Sequence, residues 1–220
     1  MTARRTAVAA SLFCILSFFG AAAAHADSII SLASLGTSAD SGESNSMGAT
    51  IAISPNTSWA TALTGSSWVS FADTGNTSAP GFVTVANGTV VSFFDTFNIA
   101  GTPTGGTLTV MADDSATVLL NGVNLMSEAS STGNTYATCS NFGIGCVSPT
   151  TITLPASVLL SGSNTLEFEV AQRAGYSFGL DYIASITDPS SVFEPASGLL
   201  VALGLVALSV VGLRRKAGQV

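Results

Sequence analysis

Two adjacent aspartates, Asp113 and Asp114, are the residues of this sequence whose spacing best suits a chemical role. They separate two strand-like runs, and neighbouring carboxylates at a strand boundary can converge on Ca²⁺, which binds about six to eight oxygen atoms. Loop carbonyl groups or Asp95 could complete that shell, although Asp95 also interrupts the apolar side of its own strand and needs a partner or an edge position. The alternative is that both aspartates cap a turn by accepting hydrogen bonds from nearby amides.

Sugar binding is the other chemistry that the loop residues could support. It needs an aromatic face for the C–H surface of a pyranose ring, together with amide or carboxylate groups for the hydroxyls. Tyr136 and Tyr176 lie in predicted loops and are the best aromatic candidates, while Asn121, Asp113 and Asp114 are candidate polar groups. The two tryptophans are more typical of core or edge packing.

The distribution of charge restricts the partners of the protein. Of 220 residues only six are basic and thirteen are acidic, and Arg173 is the only basic residue between Arg5 and Arg214. A surface without clustered cations cannot neutralise phosphates, so we predict no nucleic-acid partner. Adhesion to an anionic membrane surface is disfavoured for the same reason.

Residues 1–26 have the three parts of a secretory signal peptide. A positively charged start precedes an apolar run, and small residues lead to Ala24-His25-Ala26. We expect cleavage after Ala26, and the alternative is an uncleaved anchor helix. Cleavage would remove the one histidine of the sequence and one of its three cysteines.

The other end of the chain has a second apolar segment, residues 196–213, which is near the lower limit for a helix that spans ~30 Å of hydrocarbon. Arg214, Arg215 and Lys216 follow at once and would stay in the cytoplasm, so that residues 27–187 would face the outer side of the inner membrane. A buried core helix is the alternative, but this segment has no polar face.

The C-terminal segment resembles the sorting signal of PEP-CTERM proteins. A short motif, Phe193-Glu194-Pro195, lies in a predicted linker over 188–195 and is followed by the apolar helix and the basic tail 214–220. Phe193 stands where that family usually has its first proline. The resemblance implies recognition by an exosortase-type sorting enzyme, transient anchoring in the inner membrane, and delivery to the cell surface or extracellular matrix of a bacterium that makes exopolysaccharide. A permanent membrane anchor is the alternative.

Residues 27–187 are predicted to form one all-β domain. Their Thr, Ser, Val, Gly and Asn content and their short alternating runs indicate strands separated by turns, without a sustained helical period. About ten short strands at this spacing favour an antiparallel β-sandwich or jelly roll. The predicted strands are 28–35, 48–54, 67–71, 82–86, 89–99, 107–112, 115–120, 150–154, 165–171 and 180–186.

Cys139 and Cys146 are the two cysteines of the exported segment, and they lie in a Ser/Thr/Gly/Asn-rich loop over about 127–149. A disulfide between them is the default in an exported chain. It would close a small loop and stabilise the domain by about 2–3 kcal/mol. Zinc would lack ligands, because only two sulfurs and no histidine are present.

Two segments, 111–122 and 159–170, resemble the galactose-binding-like jelly roll of carbohydrate-binding modules. The first has Asp113-Asp114, a strand and the hairpin signal Asn121-Gly122, and the second has a Gly-x-Asn turn before an alternating strand. The resemblance covers about residues 82–187 and implies the fold, while these patterns do not identify a ligand.

Catalysis would have to use carboxylates such as Glu167 and Glu169, which lie about 6.7 Å apart by the strand rise, near the spacing of an inverting glycosidase pair. Their alternation with apolar residues is more typical of a strand with one face in water. We therefore predict a non-catalytic exported protein, associated with exopolysaccharide and without a cofactor unless a structural Ca²⁺ is bound. A Ca²⁺-assisted, lectin-like adhesin is the alternative.

Overall fold

Short segments with alternating side chains form eleven strands in the computed structural model, which describes residues 26–130, 136, 139 and 143–190. The strands are β1 (Ala26–Ala33), β2 (Glu43–Asn45), β3 (Ile51–Ala52), β4 (Val69–Ser70), β5 (Val90–Ile99), β6 (Gly105–Asp113), β7 (Ser115–Leu120), β8 (Val123–Met126), β9 (Thr150–Leu154), β10 (Gly162–Ala171) and β11 (Gly179–Ser190). A 3₁₀ turn spans Ala156–Val158.

The strands form two sheets. Sheet A has the order β3-β4-β11-β6-β9, and β1 also pairs with β11. Sheet B has the order β2-β5-β10-β7-β8. Every pairing with a described register is antiparallel, as the prediction of an antiparallel β-sandwich requires.

The core lies between the two sheets because each long strand alternates buried and exposed residues. In β10, Leu166, Phe168 and Val170 are buried, and Phe168 packs against Tyr182 of β11 with ring centroids 4.5 Å apart. Burial of such side chains is the main favourable contribution to folding. The same core contains Val91, Phe93, Phe97, Leu108, Val110, Val118, Leu120, Leu180 and Ile186.

A second hydrophobic cluster lies on the outer face of sheet A. Met111 points away from the main core, and Trp59 and Trp68 pack near it with ring centroids 4.3 Å apart. The predicted disulfide, Cys139–Cys146, is present and belongs to this cluster. The loops that carry these residues cover the Met111 end of β6, whereas Thr107 at its other end is exposed.

The predicted strand over 82–86 is wrong, since no strand occupies these residues. Val83 N–H donates to the carbonyl of Asp73 at 2.7 Å, and Val85 N–H donates to that of Tyr176 at 3.2 Å. The segment therefore bonds to two separate loops and forms no ladder with either. Two strands were not predicted, β2 and β8, which have three and four residues.

Residues 27–190 form one compact unit, and β11 continues through Ser190 into the segment predicted as a linker. Residues 1–25 of the predicted signal peptide 1–26, the apolar segment 196–213 and the tail 214–220 lie outside the described residues, whereas Ala26 begins β1. Also outside the described residues are the predicted sorting residues Phe193, Glu194, Pro195, Arg214, Arg215 and Lys216. Within the described ranges, no helix has the length and apolar character needed to cross a membrane.

Candidate functional site

The loops that carry most of the predicted site residues meet at one end of the sandwich. Ala171 pairs with both Val90 and Ser115 in sheet B, and Gly179 pairs with Asp113 in sheet A. The β6–β7 turn and the β10–β11 loop therefore lie at the same end, which we call the loop end. Asp113, Asp114, Arg173 and Tyr176 belong to these two connections.

Asp113 is buried beneath the second hydrophobic cluster. Trp59 Nε1 donates a hydrogen bond to Asp113 Oδ2 at 2.7 Å, and Cys139 Sγ lies 3.0 Å from Asp113 Oδ1. Burial and the neighbouring Asp114 raise the pKa of Asp113 to about 9, so the carboxyl is a neutral acid at pH 7. Gly179 makes room for the indole, because a Cβ there would lie 3.0 Å from the Trp59 ring.

Asp114 holds the β10–β11 loop. Its Oδ2 accepts hydrogen bonds from the backbone N–H groups of Arg173 and Ala174, both at 2.6 Å. Two backbone amides that donate to one carboxylate oxygen make charge-assisted hydrogen bonds, which fix the direction in which the loop leaves β10. The turn-capping alternative is therefore the role that the geometry gives to Asp114.

The two aspartates do not fit a calcium cage in this geometry. Trp59 donates to Asp113 Oδ2, Cys139 Sγ lies against Asp113 Oδ1, and two backbone amides donate to Asp114 Oδ2, so three of the four carboxyl oxygens already have neighbours. Asp95 cannot complete a shell, because it faces the interior from sheet B while Asp113 lies on the outer side of sheet A. The Cys139 and Cys146 sulfurs are consumed by the disulfide and are not thiolate ligands. Calcium at Asp113 and Asp114 stays a prediction.

The two predicted aromatic ligands differ in exposure. Tyr176 is 66% exposed, whereas Tyr136 is half-buried and its hydroxyl donates to the carbonyl of Ala129. Arg173, three residues before Tyr176, pairs with Glu128 through Nε at 2.7 Å and Nη2 at 2.6 Å. This fork-like pair raises the pKa of Arg173, mainly through the hydrogen bonds that the guanidinium donates to Glu128.

Asn121 lies at the opposite end of the sandwich, so the structure does not bring it near the tyrosines. Its side-chain amide donates to Val158 O at 2.7 Å and to Asn164 Oδ1 at 2.9 Å, and its Oδ1 accepts from Thr165 N at 2.9 Å. The backbone of Asn121 has a φ of 53°, as the predicted Asn-Gly turn requires. The amide of Asn121 therefore connects two turns.

Glu167 and Glu169 lie on the outer face of sheet B. Glu169 is in register with Ser92 and Thr117, and Glu167 with Phe94 and Leu119. Both glutamates are partly exposed. This placement agrees with a solvated strand face.

The main core contains a buried polar cluster that was not predicted from the sequence. The hydroxyl of Tyr182 lies 2.9 Å from Asp95 Oδ2 and 3.1 Å from Glu43 Oε1. Glu43 also accepts hydrogen bonds from the N–H groups of Leu35 and Gly36. The one signal in the sequence was Asp95 itself, which interrupts the apolar side of its strand.

No protein-family model and no curated protein sequence matches this chain. Among solved structures it is similar to an α-L-rhamnosidase from Streptomyces avermitilis complexed with L-rhamnose, with 20% identity and a TM-score of 0.40 over 64% of this chain and 13% of that one. A family 35 carbohydrate-binding module from Clostridium thermocellum matches with 12% identity and a TM-score of 0.37, over 71% of this chain and 97% of that module.

A family 36 carbohydrate-binding module in complex with calcium and xylotriose matches with 14% identity and a TM-score of 0.29, over 50% of this chain and 86% of that module. The similar structures thus include β-sandwich carbohydrate-binding modules. The chain spans only 13% of the length of the rhamnosidase. At these TM-scores the similarities do not assign a function.

Proposed function

We propose that the β-sandwich is a non-catalytic carbohydrate-binding domain that associates with extracellular polysaccharide. The observation that carries this proposal is Tyr176, an aromatic side chain that is 66% exposed on the β10–β11 loop. An exposed aromatic ring can cover the C–H face of a pyranose while its hydroxyl stays in water. Nothing in the packing of the described residues requires this ring.

The loop that presents Tyr176 is held at its base. Asp114 accepts two backbone hydrogen bonds from Arg173 and Ala174, and the carbonyl of Tyr176 accepts one from Val85 N–H at 3.2 Å. A loop ordered before binding loses less conformational entropy when it takes a ligand. The ion pair of Arg173 and Glu128 adds planar donors and acceptors for sugar hydroxyls on the same loop end.

The test is binding of the purified full-length protein to a glycan array, followed by titration of the best ligand. We expect Tyr176→Ala to weaken binding by about tenfold, equivalent to ~1.4 kcal/mol. Leu160→Ala is the matched control, because Leu160 is 52% exposed at the opposite end of the sandwich. If the Tyr176→Ala and wild-type proteins bind the glycan with equal affinity, Tyr176 is not part of the binding site.

The two ends of the chain carry the motifs that bear on where this domain works. We propose that the signal peptide exports the protein, and that the PEP-CTERM-like tail directs it through an exosortase-type enzyme to the cell surface or matrix. The motif Phe193-Glu194-Pro195 supports this proposal. Mass spectrometry of C-terminal peptides from extracellular and membrane fractions tests it. A chain that ends near Glu194 would support sorting, and an intact Leu213-Arg214 junction in both fractions would show a permanent anchor.

A further inference from the structure

The open part of the outer face of sheet A contains a groove of about 310 Å³. It lies between β1, β6, β11 and the turn at Thr64-Gly65, beyond the area that the second hydrophobic cluster covers. Its lining includes Ile183 and the hydroxyl groups of Ser31, Thr64, Thr107, Thr109 and Ser185.

The register of sheet A arranges these hydroxyls regularly. Thr107 pairs with Ser185, and Thr109 pairs with Ile183 on the same face. Neighbouring strands are about 4.8 Å apart and alternate residues about 6.7 Å apart, so the floor of the groove has regularly spaced hydroxyls beside Ile183. Each hydroxyl both donates and accepts hydrogen bonds, which is also the property of a sugar hydroxyl.

One wall of the groove is fixed by a buried carboxylate. Asp181 accepts hydrogen bonds from Leu63 N at 2.8 Å and from Ser34 Oγ at 3.0 Å, and also from Ser66 Oγ. The turn at Thr64-Gly65 lies between these anchors, so the wall is held in position without a ligand. A site on rigid elements binds more precisely than one on a free loop.

Charge decides the class of ligand. No ionisable side chain lines the groove, whereas twelve of the thirteen acidic residues and only one of the six basic residues lie within 27–190. The one basic residue is Arg173, which already pairs with Glu128. An anionic polysaccharide would be repelled by this surface, and an uncharged polysaccharide would not.

We propose that this groove is a second binding site, separate from Tyr176, and that it takes a neutral, hydroxyl-rich polysaccharide chain. The inference rests on the proposed function for the ligand class, but it does not depend on Tyr176. Thr107, Thr109 and Ser185 hydrogen-bond the sugar hydroxyls, and Ile183 contacts the C–H surface. Two sites on one small domain bind one polymer more tightly than either site alone.

The experiment uses affinity electrophoresis of the full-length protein in gels that contain neutral galactan, xylan or β-glucan, with polygalacturonate as the acidic comparison. The double variant Thr107→Val/Ser185→Ala removes two facing hydroxyls. We expect it to bind the retarding neutral polymer about tenfold more weakly. Thr153→Val is the control, because Thr153 pairs with Thr107 on β9 but does not line the groove. Circular dichroism melting verifies that each variant is folded.

The outcomes separate the two proposals. If the wild type binds a neutral polymer and the double variant binds it equally well, the groove proposal is overturned while the proposed function stands. Residual binding by Tyr176→Ala that disappears when Thr107→Val/Ser185→Ala is added would support two sites. Stronger binding to polygalacturonate than to every neutral polymer would overturn the ligand class. No binding to any neutral polymer by the wild type would overturn the inference together with the function it rests on.

Discussion

The hydroxyl of Tyr182 joins the two sheets through Asp95, whose Oδ2 lies 2.9 Å away, and the same hydroxyl lies 3.1 Å from Glu43 Oε1. A single hydroxyl proton cannot be donated to both carboxylates. Below the raised pKa values of the two acids, one of them carries a proton that it can donate to the tyrosine oxygen. Burial raises the pKa of Glu43 to about 6 and that of Asp95 to about 6, which is consistent with a proton held in this cluster.

This cluster predicts that stability falls between about pH 4 and pH 6. Asp95 and Glu43 have ordinary pKa values of 3.8 and 4.5 when unfolded. Because their folded values are higher, their favourable contribution is full below about pH 4 and is lost as pH rises through about 6. We expect the free energy of unfolding, measured with urea, to fall by on the order of 2 kcal/mol over this pH range. The fall should be smaller in Asp95→Asn.

Glu169→Gln is the matched control for that experiment, because Glu169 is a partly exposed carboxylate on the outer face of the same sheet. Its profile should follow that of the wild type. If the free energy of unfolding changes with pH equally in Asp95→Asn and in the wild type between pH 4 and pH 6, Asp95 does not take up a proton in this range.

Tyr182→Phe should destabilise the protein by about 1–3 kcal/mol at pH 7. The phenylalanine ring keeps the packing against Phe168, but Asp95 and Glu43 lose their shared partner in the core. The loss should be smaller at pH 4, where both acids are protonated and no buried charge is left without its partner. Chemical unfolding at the two pH values measures this difference, with Tyr176→Phe as the control at an exposed tyrosine. A loss that is the same at both pH values would mean that packing alone accounts for it.

Asp113→Asn should stabilise the protein at pH 7, on the order of 2 kcal/mol. Asp113 is neutral when folded because its pKa is raised to about 9, whereas it ionises freely when unfolded. The contribution of protonated Asp113 to the free energy of unfolding is therefore lost progressively from about pH 4 to pH 9. Asparagine removes this pH dependence, and its side-chain oxygen still accepts the hydrogen bond from Trp59.

Asp114→Asn is the contrasting variant, because it weakens two charge-assisted hydrogen bonds to the backbone and should destabilise the protein by about 1–3 kcal/mol. Thermal melts of both variants between pH 6 and pH 9 measure these effects. If Asp113→Asn is less stable than the wild type at every pH, Asp113 is not protonated in the folded protein.

Calcium should leave the melting temperature unchanged, because Trp59 Nε1 already donates to Asp113 and two backbone amides already donate to Asp114. Differential scanning fluorimetry with millimolar Ca²⁺ and with chelator measures the effect. A rise of several degrees with Ca²⁺ that is absent in Asp113→Ala would instead establish the calcium site. The same variant in glycan titrations would then distinguish a Ca²⁺-assisted lectin from a Ca²⁺-independent one.

The local features of this fold were readable from the sequence. Strands 115–120 and 150–154 were predicted with their observed bounds, since alternation and turn residues are local signals. The disulfide between Cys139 and Cys146 followed from compartment and cysteine count, and the structure confirms it. The turn role of Asp114 was one of two stated alternatives.

The contacts between distant residues were not readable. Tyr182 and Glu43 are 139 residues apart in the chain, and Tyr182 and Asp95 are 87 apart. Their meeting depends on how β11 of sheet A lies over β2 and β5 of sheet B, which no local pattern specifies. The groove is likewise created by register, because Thr107 and Ser185 become neighbours only when β6 and β11 pair.

The position of β11 inside sheet A has a mechanical consequence for a tethered protein. This last strand pairs with β6 from Gly179 to Thr187 on one side, and β1 and β4 pair with it on the other. Tension drawn along its axis from the C-terminal side would load these hydrogen bonds together and could not open them one by one. If the C-terminal segment tethers the domain as proposed, the folded domain would resist unfolding under a pulling force.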